Sequence, residues 1–157
     1  MSFGGETSGP TTVANTEEYG GASWAAGGNL GTARSRHAGA GTQTAGLSFG
    51  GGVYAAASAV TEEYDGASWS AGGNIIVARY DLAGAGIQTA GLNFGGNDNG
   101  GVYRNTTNEY DGTSWSAGGA LSADRQYLAG AGTQTAGLSF GGWNSAGGYV
   151  TTTEEYA

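Results

Sequence analysis

The hydrophobic pattern of this chain consists of short alternating clusters separated by glycine and small polar residues. Leu47 and Phe49 stand two residues apart, which places both side chains on one face of an extended strand. The same pair of residue types returns at Leu92 and at Leu138. No long segment has apolar residues at the i, i+3, i+4, i+7 spacing of a helix, and glycine interrupts every window. The pattern therefore predicts short β-strands.

These clusters belong to a sequence repeat. The phrase Ala-Gly-Ala-Gly-x-Gln-Thr-Ala-Gly-Leu-x-Phe-Gly-Gly occurs at Ala38–Gly51, Ala83–Gly96 and Ala129–Gly142. A second phrase recurs in step with it, and its tryptophans are residues 24, 69 and 115, so the period is 45 and then 46 residues. A fixed period of this size predicts a repeat architecture.

Each repeat divides into four predicted strands. The first is an Ala/Gly run at Leu82–Ile87 and Leu128–Thr133, and the second is Gly-Leu-Ser-Phe-Gly-Gly. The third is Thr-Glu-Glu-Tyr and the fourth is Ser-Trp-Ser-Ala-Gly-Gly. Between them, Asp65-Gly66 and Asp111-Gly112 predict tight hairpins, because such pairs tolerate positive φ. Four short antiparallel strands per repeat predict an all-β propeller blade, with the small side chains on the crowded innermost strand.

The order of the motifs resembles the kelch repeat. Its elements here are the doubled glycine Gly50-Gly51, then Glu62-Glu63-Tyr64-Asp65, then Trp69. The resemblance covers essentially the whole chain and implies a β-propeller of four-stranded blades that serves in binding. The repeats are also similar to kelch-like repeats in proteins of tailed bacteriophages and marine viruses, which implies a component of a virion or other extracellular particle.

The chain is expected to form a single repeat domain over residues 1–157. Its copies span roughly 2–47, 48–92 and 93–138, with a partial copy at 139–157. We count two strands before the first full unit and three after the second, which amounts to about three blades. Closed propellers have typically about four to eight blades. We therefore expect self-association, with a homodimeric six-bladed ring favoured over another oligomer or a fragment of a longer propeller.

Composition and charge narrow the classes of partner. Glycine accounts for 34 of the 157 residues, yet aromatic residues return at fixed positions, which favours a folded chain over a low-complexity one. The net charge of −8 argues against nucleic acid and anionic membranes as partners. Cysteine is absent, which excludes disulfides and thiolate metal sites. The first residues show no signal-peptide pattern and no stretch is long enough to span a membrane, so the localisation stays unknown.

Three arginines share one position in the repeat. They are Arg34, Arg79 and Arg125. One interpretation is an ion pair or a set of backbone hydrogen bonds repeated in each blade, since guanidinium donates in a fixed fork. The alternative is a ring of arginines at one mouth of the channel that binds an anionic ligand.

The repeats differ mainly in two stretches, one after the doubled glycine and one after the shared arginine. A constant frame with variable loops rich in aromatic residues and Asn is typical of a binding scaffold. The resulting candidate ligand-binding residues are Tyr54, Tyr80, Asn97, Asp98, Tyr103, Tyr127, Trp143 and Asn144. The alternative is that the repeats differ in these stretches only because the sequences of unconstrained surface loops have drifted.

No catalytic site, metal site or cofactor is predicted. His37 is the only histidine and stands where the other repeats have leucine, so we interpret it as a structural residue. The paired glutamates of the third strand point to opposite faces and do not converge on a substrate bond. The hypothesis is a non-enzymatic structural or recognition protein that presents loops to a glycan or a neighbouring virion protein. A carbohydrate-active enzyme and a purely architectural, even designed, repeat protein are the alternatives.

Overall fold

The computed structural model describes residues 1–9, 11–53 and 56–157, and these are all-β, as predicted, with no helix. The strands are β1 (Ser2–Phe3), β2 (Thr16–Tyr19), β3 (Trp24–Gly27), β4 (Ser35–Thr42), β5 (Ala45–Val53), β6 (Ala56–Ala57), β7 (Thr61–Tyr64), β8 (Trp69–Ala71), β9 (Arg79–Tyr80), β10 (Ala83–Ile87), β11 (Ala90–Phe94), β12 (Asn97–Asp98), β13 (Thr107–Tyr110), β14 (Trp115–Ala117), β15 (Ala129–Thr133), β16 (Ala136–Phe140) and β17 (Thr153–Tyr156).

The strands form four repeat-related antiparallel sheets. Sheet I has the order β1-β2-β3, sheet II β4-β5-β7-β8, sheet III β10-β11-β13-β14 and sheet IV β15-β16-β17. In sheet II the short β6 also pairs with β5, and β9 pairs with β12 as a separate two-stranded ladder. Within the described residues no element is a helix that could cross a membrane.

The first sheet is larger than the sequence count predicts. Ser2 and Phe3 form β1, which pairs with Glu17 and Thr16 of β2. Sheet I therefore has three strands rather than two, equivalent to strands two, three and four of a full repeat. Sheet IV has strands one, two and three, so the two outer sheets duplicate two strand positions.

The turns after the third strand also differ from the predicted hairpins. Asp65 to Ser68 form a four-residue loop closed by a bond from the Asp65 N–H to the Ser68 carbonyl (3.2 Å). Positive φ falls on Gly66 alone (94°). The aspartate stabilises the loop through its side chain and not through a positive φ. Its Oδ1 accepts hydrogen bonds from the N–H groups of Ser68 (2.8 Å) and Ala67 (2.9 Å), and these bonds lower the pKa of Asp65.

A tryptophan packs sheet II on sheet I, and another packs sheet III on sheet II. The Trp69 indole of sheet II lies 5.0 Å from the Tyr64 ring of its own sheet and 4.9 Å from the Phe3 ring of sheet I. Its Nε1 donates to Thr16 Oγ1 at 2.9 Å. Trp115 of sheet III repeats the arrangement on Phe49 and Tyr110, with its Nε1 2.9 Å from Thr61 Oγ1. We call this set of a Phe, a Tyr and a Thr around an indole a tryptophan socket.

A tyrosine and a glutamine add further bonds between the same sheets. The Tyr64 hydroxyl donates to Glu18 at 2.5 Å, and Tyr110 and Tyr156 donate to Glu63 and Glu109 in the same way. The Gln88 amide donates to the Gly46 and Tyr64 carbonyls of sheet II. Gln134 makes the equivalent two bonds to sheet III. Neighbouring sheets thus share a repeated set of partly buried hydrogen bonds.

A glycine in the first strand of sheets II, III and IV makes room for phenylalanine. A Cβ at Gly84 of β10 would overlap Cζ of Phe49 from the preceding sheet. Gly39 and Gly130 meet Phe3 and Phe94 in the same way. One of the two glycines in each of these strands therefore follows from ring-on-backbone packing between sheets.

We predict that Gly84→Ala lowers the free energy of unfolding by roughly 1–3 kcal/mol, because the new methyl group overpacks against Phe49. Chemical denaturation measures the effect. Phe49→Leu in the same chain should recover part of the loss, since it removes the opposing ring atoms. Gly20→Ala is the control, because its Cβ meets only the Ser23 carbonyl at 3.8 Å. Equal effects of Gly84→Ala and Gly20→Ala would contradict the packing argument.

Candidate binding site

Three equivalent residues have left-handed backbone conformations without being glycine. They are Arg36 (φ 60°), Asp81 (φ 55°) and Tyr127 (φ 56°), each two positions after a shared arginine. Holding such a residue at positive φ costs on the order of 1–3 kcal/mol and is concentrated at functional positions. We call these residues the left-handed triad.

Backbone hydrogen bonds join the triad across the sheets. The Asp81 N–H donates to the Arg36 carbonyl at 2.9 Å, and the Tyr127 N–H donates to the Asp81 carbonyl at 3.0 Å. The three residues therefore lie side by side, near the beginning of the first strands of sheets II, III and IV. The constraint fixes where their side chains emerge.

The side chains of the triad form one polar and aromatic cluster. Arg36 Nε donates to Asp81 Oδ1 at 2.8 Å, and its Nη2 bonds both Asp81 Oδ2 and the Tyr127 hydroxyl, the latter at 3.0 Å. The guanidinium also lies over the Tyr80 ring, 4.3 Å from the centroid. Burial raises the pKa of Asp81, and the Arg36 charge opposes that effect. The cluster is preorganised, with Arg36 exposed at its surface.

An aromatic cleft adjoins this cluster. Gln126, Tyr127, Gly142, Trp143 and Tyr149 line an open cleft of about 370 Å³. The Trp143 and Tyr149 rings pack edge to face with centroids 4.8 Å apart. Tyr127 and Tyr149 are 60% and 86% exposed, so their rings are free to contact a ligand. Tyr127 belongs to both the triad and the cleft and joins them into one surface.

The backbone around Trp143 keeps the cleft in shape. The Gln126 N–H donates to the Trp143 carbonyl at 3.0 Å, and the Trp143 N–H returns the bond at 2.8 Å. Asn144 Oδ1 accepts the Gly148 N–H at 3.0 Å, which closes the loop leading to Tyr149. The predicted residue Asn144 thus supports the loop.

The other predicted loop residues lie in a neighbouring loop. Asp98 accepts the N–H groups of Gly100 (2.8 Å) and Val102 (3.0 Å) and pairs with Arg104; the bond from Val102 is the main reason that the pKa of Asp98 is lowered. Asn97 donates to Gln126 at 3.4 Å and pairs with the partly buried Tyr103. These contacts organise the loop. Tyr54, another predicted ligand-binding residue, is outside the described residues.

The three shared arginines are buried, and their guanidinium groups form hydrogen bonds and ion pairs within the protein. Arg34 pairs with Glu62 at 2.6 Å and donates to the Val60 carbonyl at 2.8 Å. Arg79 bonds Asn108 at 3.0 Å, and Arg125 pairs with Glu154. Their exposures are 0–1%. Burial lowers the pKa of Arg79 to about 10. This geometry favours the interpretation as repeated internal bonds over an anion-binding ring.

His37 is enclosed at the beginning of β4. Its ring stacks on Phe3 with centroids 5.4 Å apart, and Nε2 lies 3.1 Å from the Phe3 carbonyl. Burial, followed by the Arg34 charge, lowers the pKa of His37 to about 4. The ring is therefore neutral at pH 7, in agreement with the structural interpretation.

The structure brings together only part of the predicted set. Tyr80, Tyr127 and Trp143 share one surface, whereas Asn97, Asp98 and Tyr103 belong to the adjoining loop. Sequence reasoning placed Arg36 and Asp81 in a variable patch without selecting them, and it did not select Tyr149. One feature of the sequence could have identified them. The position two residues after the shared arginine is equivalent in the three repeats but is occupied by Arg, then Asp, then Tyr.

Comparison with known structures supports the fold. The solved structure of YjhT, a protein of the kelch-like β-propeller type, matches 83% of this chain with a TM-score of 0.72 and 15% sequence identity. This chain covers 45% of the length of YjhT. At this identity the likeness concerns the fold alone. No protein-family model matches the chain, and no curated protein matches it.

We predict that stability falls as the pH is lowered from 6.5 to 4. Folded His37 resists protonation because burial lowers its pKa to about 4, whereas the unfolded chain takes up the proton near pH 6.5. The unfolded state binds more protons in this window, so the free energy of unfolding drops by up to about 1.4 kcal/mol per pH unit. Denaturation at pH 7 and pH 4.5 measures the change.

His37→Leu is the matched control, because leucine occupies the equivalent positions 82 and 128. The variant should lose the His37 share of the pH dependence. An unchanged difference in stability between pH 7 and pH 4.5 would show that other groups are responsible.

Proposed function

We propose that this chain is part of a non-enzymatic β-propeller that recognises a glycan. The surface formed by the left-handed triad and the aromatic cleft is its binding site. A neutral hexose ring would stack on Tyr127 or Tyr149, and its hydroxyl groups would bond Arg36, which Asp81 holds in position. Aromatic faces next to fixed polar groups are the combination that a sugar ring, apolar on its faces and polar at its rim, requires.

Three features support the propeller. The four sheets follow one another in chain order, and the same tyrosine-to-glutamate bond joins each sheet to the next. A tryptophan bond recurs at the first two of these contacts and a pair of glutamine bonds at the last two. The innermost strands are built of small residues, as crowding around an axis requires. The similarity to YjhT concerns the same class of fold.

The observation that carries the binding proposal is the conformation of Arg36, Asp81 and Tyr127. Three non-glycine residues at positive φ in equivalent positions are a strain that the fold does not need, since glycine would relieve it. The retained side chains are those that bond one another and border the cleft. A ligand surface accounts for that retention.

The ring would be completed by association with a second copy, in a homodimer of six blades. We place the assembly on a virion or an appendage, where its loops face a host glycan or a neighbouring protein. The resemblance of the repeats to kelch-like viral repeats is the support for this location.

A glycan array followed by titration of tyrosine and tryptophan fluorescence tests the function. The unmodified chain should bind neutral hexose-containing glycans, and Tyr149→Ala should raise the Kd roughly tenfold by removing one stacking ring. Tyr19→Ala is the control: that ring is also exposed (46%), but its hydroxyl bonds only its own turn at Gly21.

The other results are informative as well. If no glycan binds, the recognition proposal is wrong and the architectural alternative gains support. If bound sugar is turned over, the enzymatic alternative is favoured. Equal loss of binding in Tyr19→Ala and Tyr149→Ala would place the site elsewhere.

A further inference from the structure

Sheet III lacks a carboxylate that sheets II and IV have. In those two sheets the first glutamate of the third strand pairs with the shared arginine. The pairs are Arg34 with Glu62 and Arg125 with Glu154. At the equivalent position of sheet III the residue is Asn108. Arg79, the shared arginine of sheet III, therefore has no carboxylate partner among the described residues.

The guanidinium of Arg79 is enclosed by neutral groups. The residue is 0% exposed. Its Nη1 donates to the carbonyls of Gly95 and Thr106, both at 3.1 Å, and its Nη2 donates to Asn108 Oδ1 at 3.0 Å. Buried charges in proteins are ordinarily paired with an opposite charge, because an isolated one is costly to remove from water. The positive charge of Arg79 has no such counterpart.

A second cation adds to the positive charge around Arg79. Burial, followed by the charge of Arg104, lowers the pKa of Arg79 to about 10, so the guanidinium is still charged at pH 7. The nearby carboxylate of Asp98 is already paired with Arg104. Two arginines and one aspartate leave an excess of one positive charge.

The missing carboxylate also affects a backbone donor from the preceding sheet. In sheets II and IV the second carboxylate oxygen accepts an N–H group from the segment that follows the fourth strand of the sheet before. These bonds are Gly31 to Glu62 at 2.6 Å and Ser122 to Glu154 at 2.7 Å. The equivalent donor is Ile76, but Asn108 is one methylene shorter and its Nδ2 donates to the Thr107 carbonyl instead (2.9 Å). Within the described part of the chain, Asn108 makes no bond to Ile76.

An unpartnered amide lies beside Asn108. Asn93 of β11 is directly opposite Asn108 of β13, so the two side chains share a face with Cβ atoms about 4.5–5.5 Å apart. Asn93 is 0% exposed, and neither its Nδ2 nor its Oδ1 has a hydrogen-bond partner in residues 1–9, 11–53 and 56–157. Sheets II and IV have Ser48 and Ser139 here, also unpartnered, but next to a carboxylate. Sheet III has thus lost an anion and gained an amide donor.

Three donors therefore surround the place of the missing carboxylate: Arg79 Nη2, Asn93 Nδ2 and the Ile76 N–H. A water molecule could accept from them but would leave the charge of Arg79 uncompensated. A monovalent anion both accepts several N–H bonds and removes the excess charge. The place borders solvent, because Ile76 is 53% exposed, so an ion can enter without unfolding of the sheet.

We propose that sheet III binds one monovalent anion of the size of chloride, held by Arg79, Asn93 and the Ile76 N–H. The ion takes the place that a glutamate carboxylate occupies in sheets II and IV, and it joins sheet III to the segment that follows sheet II. Arg79 and Asn93 are buried, so this site is separate from the surface proposed for glycan binding and does not depend on that function.

Unfolding in urea at constant ionic strength tests the proposal, with sodium chloride exchanged for sodium gluconate. Gluconate is too large for the site and serves as the inert anion. Once chloride exceeds its dissociation constant, the folding equilibrium constant should rise about tenfold for each tenfold increase in chloride, because one ion is released on unfolding. Equal stability in chloride and gluconate would overturn the proposal.

A double variant supplies the carboxylate from the protein. Asn93→Ser with Asn108→Glu gives sheet III the residues that sheets II and IV have. The variant should be at least as stable as the unmodified chain at low chloride and should lose the chloride dependence. Thr135→Glu is the matched control: it adds one negative charge at an exposed turn and should keep the dependence. Unchanged chloride dependence in the double variant would contradict the assignment of the site.

The reverse exchange and a crystal grown in sodium bromide complete the test. Ser48→Asn with Glu62→Asn moves the two asparagines into sheet II and should raise the number of ions released on unfolding from one to two. Bromide replaces chloride and is located by its anomalous scattering. A bromide peak beside Arg79 and Asn93 supports the site even if a variant fails to fold, whereas a water molecule there in bromide overturns it.

Discussion

The tryptophan that packs sheet II on sheet I, and sheet III on sheet II, is the interaction on which this structure depends. The strands are short and rich in Ala and Gly, so a single sheet has little apolar surface of its own to bury. At these two contacts an indole packs between a Phe and a Tyr and is bonded through its N–H to a threonine. The glycines opposite each Phe follow from this arrangement, because the sheets must approach closely for the rings to meet.

The proposed binding surface depends on the repeated sheets in a different way. The buried arginines hold the segment at the beginning of the first strand of sheets II, III and IV, and two residues later the chain adopts its left-handed conformation. The frame therefore fixes the position of Arg36, Asp81 and Tyr127 without fixing their identity. Variation at one constrained position, with a variable loop beside it, is how a regular repeat can carry an irregular binding site.

The strands were predictable from the sequence, whereas several of their contacts were not. Thr-Glu-Glu-Tyr, with Asn in place of the first Glu in the third repeat, coincides with an observed strand each time, because no glycine interrupts it. β1 was missed, since two residues are too few to give a pattern. The partner of Arg34 is Glu62 and not the adjacent Glu63, which bonds Tyr110 instead; that choice depends on which face meets the next sheet.

The candidate site was harder to predict for a physical reason. Tyr80, Tyr127 and Trp143 were found as aromatic residues in variable stretches. Arg36 and Asp81 are joined only by the packing of sheet II on sheet III, 45 residues apart in sequence. Their positive φ could not be predicted either, because positive φ is expected at glycine and neither residue is a glycine. Tertiary structure alone shows that these residues form one surface.

A double-mutant cycle on Trp115 and Thr61 is the most direct measurement of the central claim. Trp115→Phe keeps a ring and removes the N–H, and Thr61→Val removes the hydroxyl while keeping the shape. If the indole-to-threonine bond joins the two sheets, the free energies of unfolding should show a coupling of about 0.5–1.5 kcal/mol between the two sites. Additive effects, with a coupling indistinguishable from zero, would contradict the account.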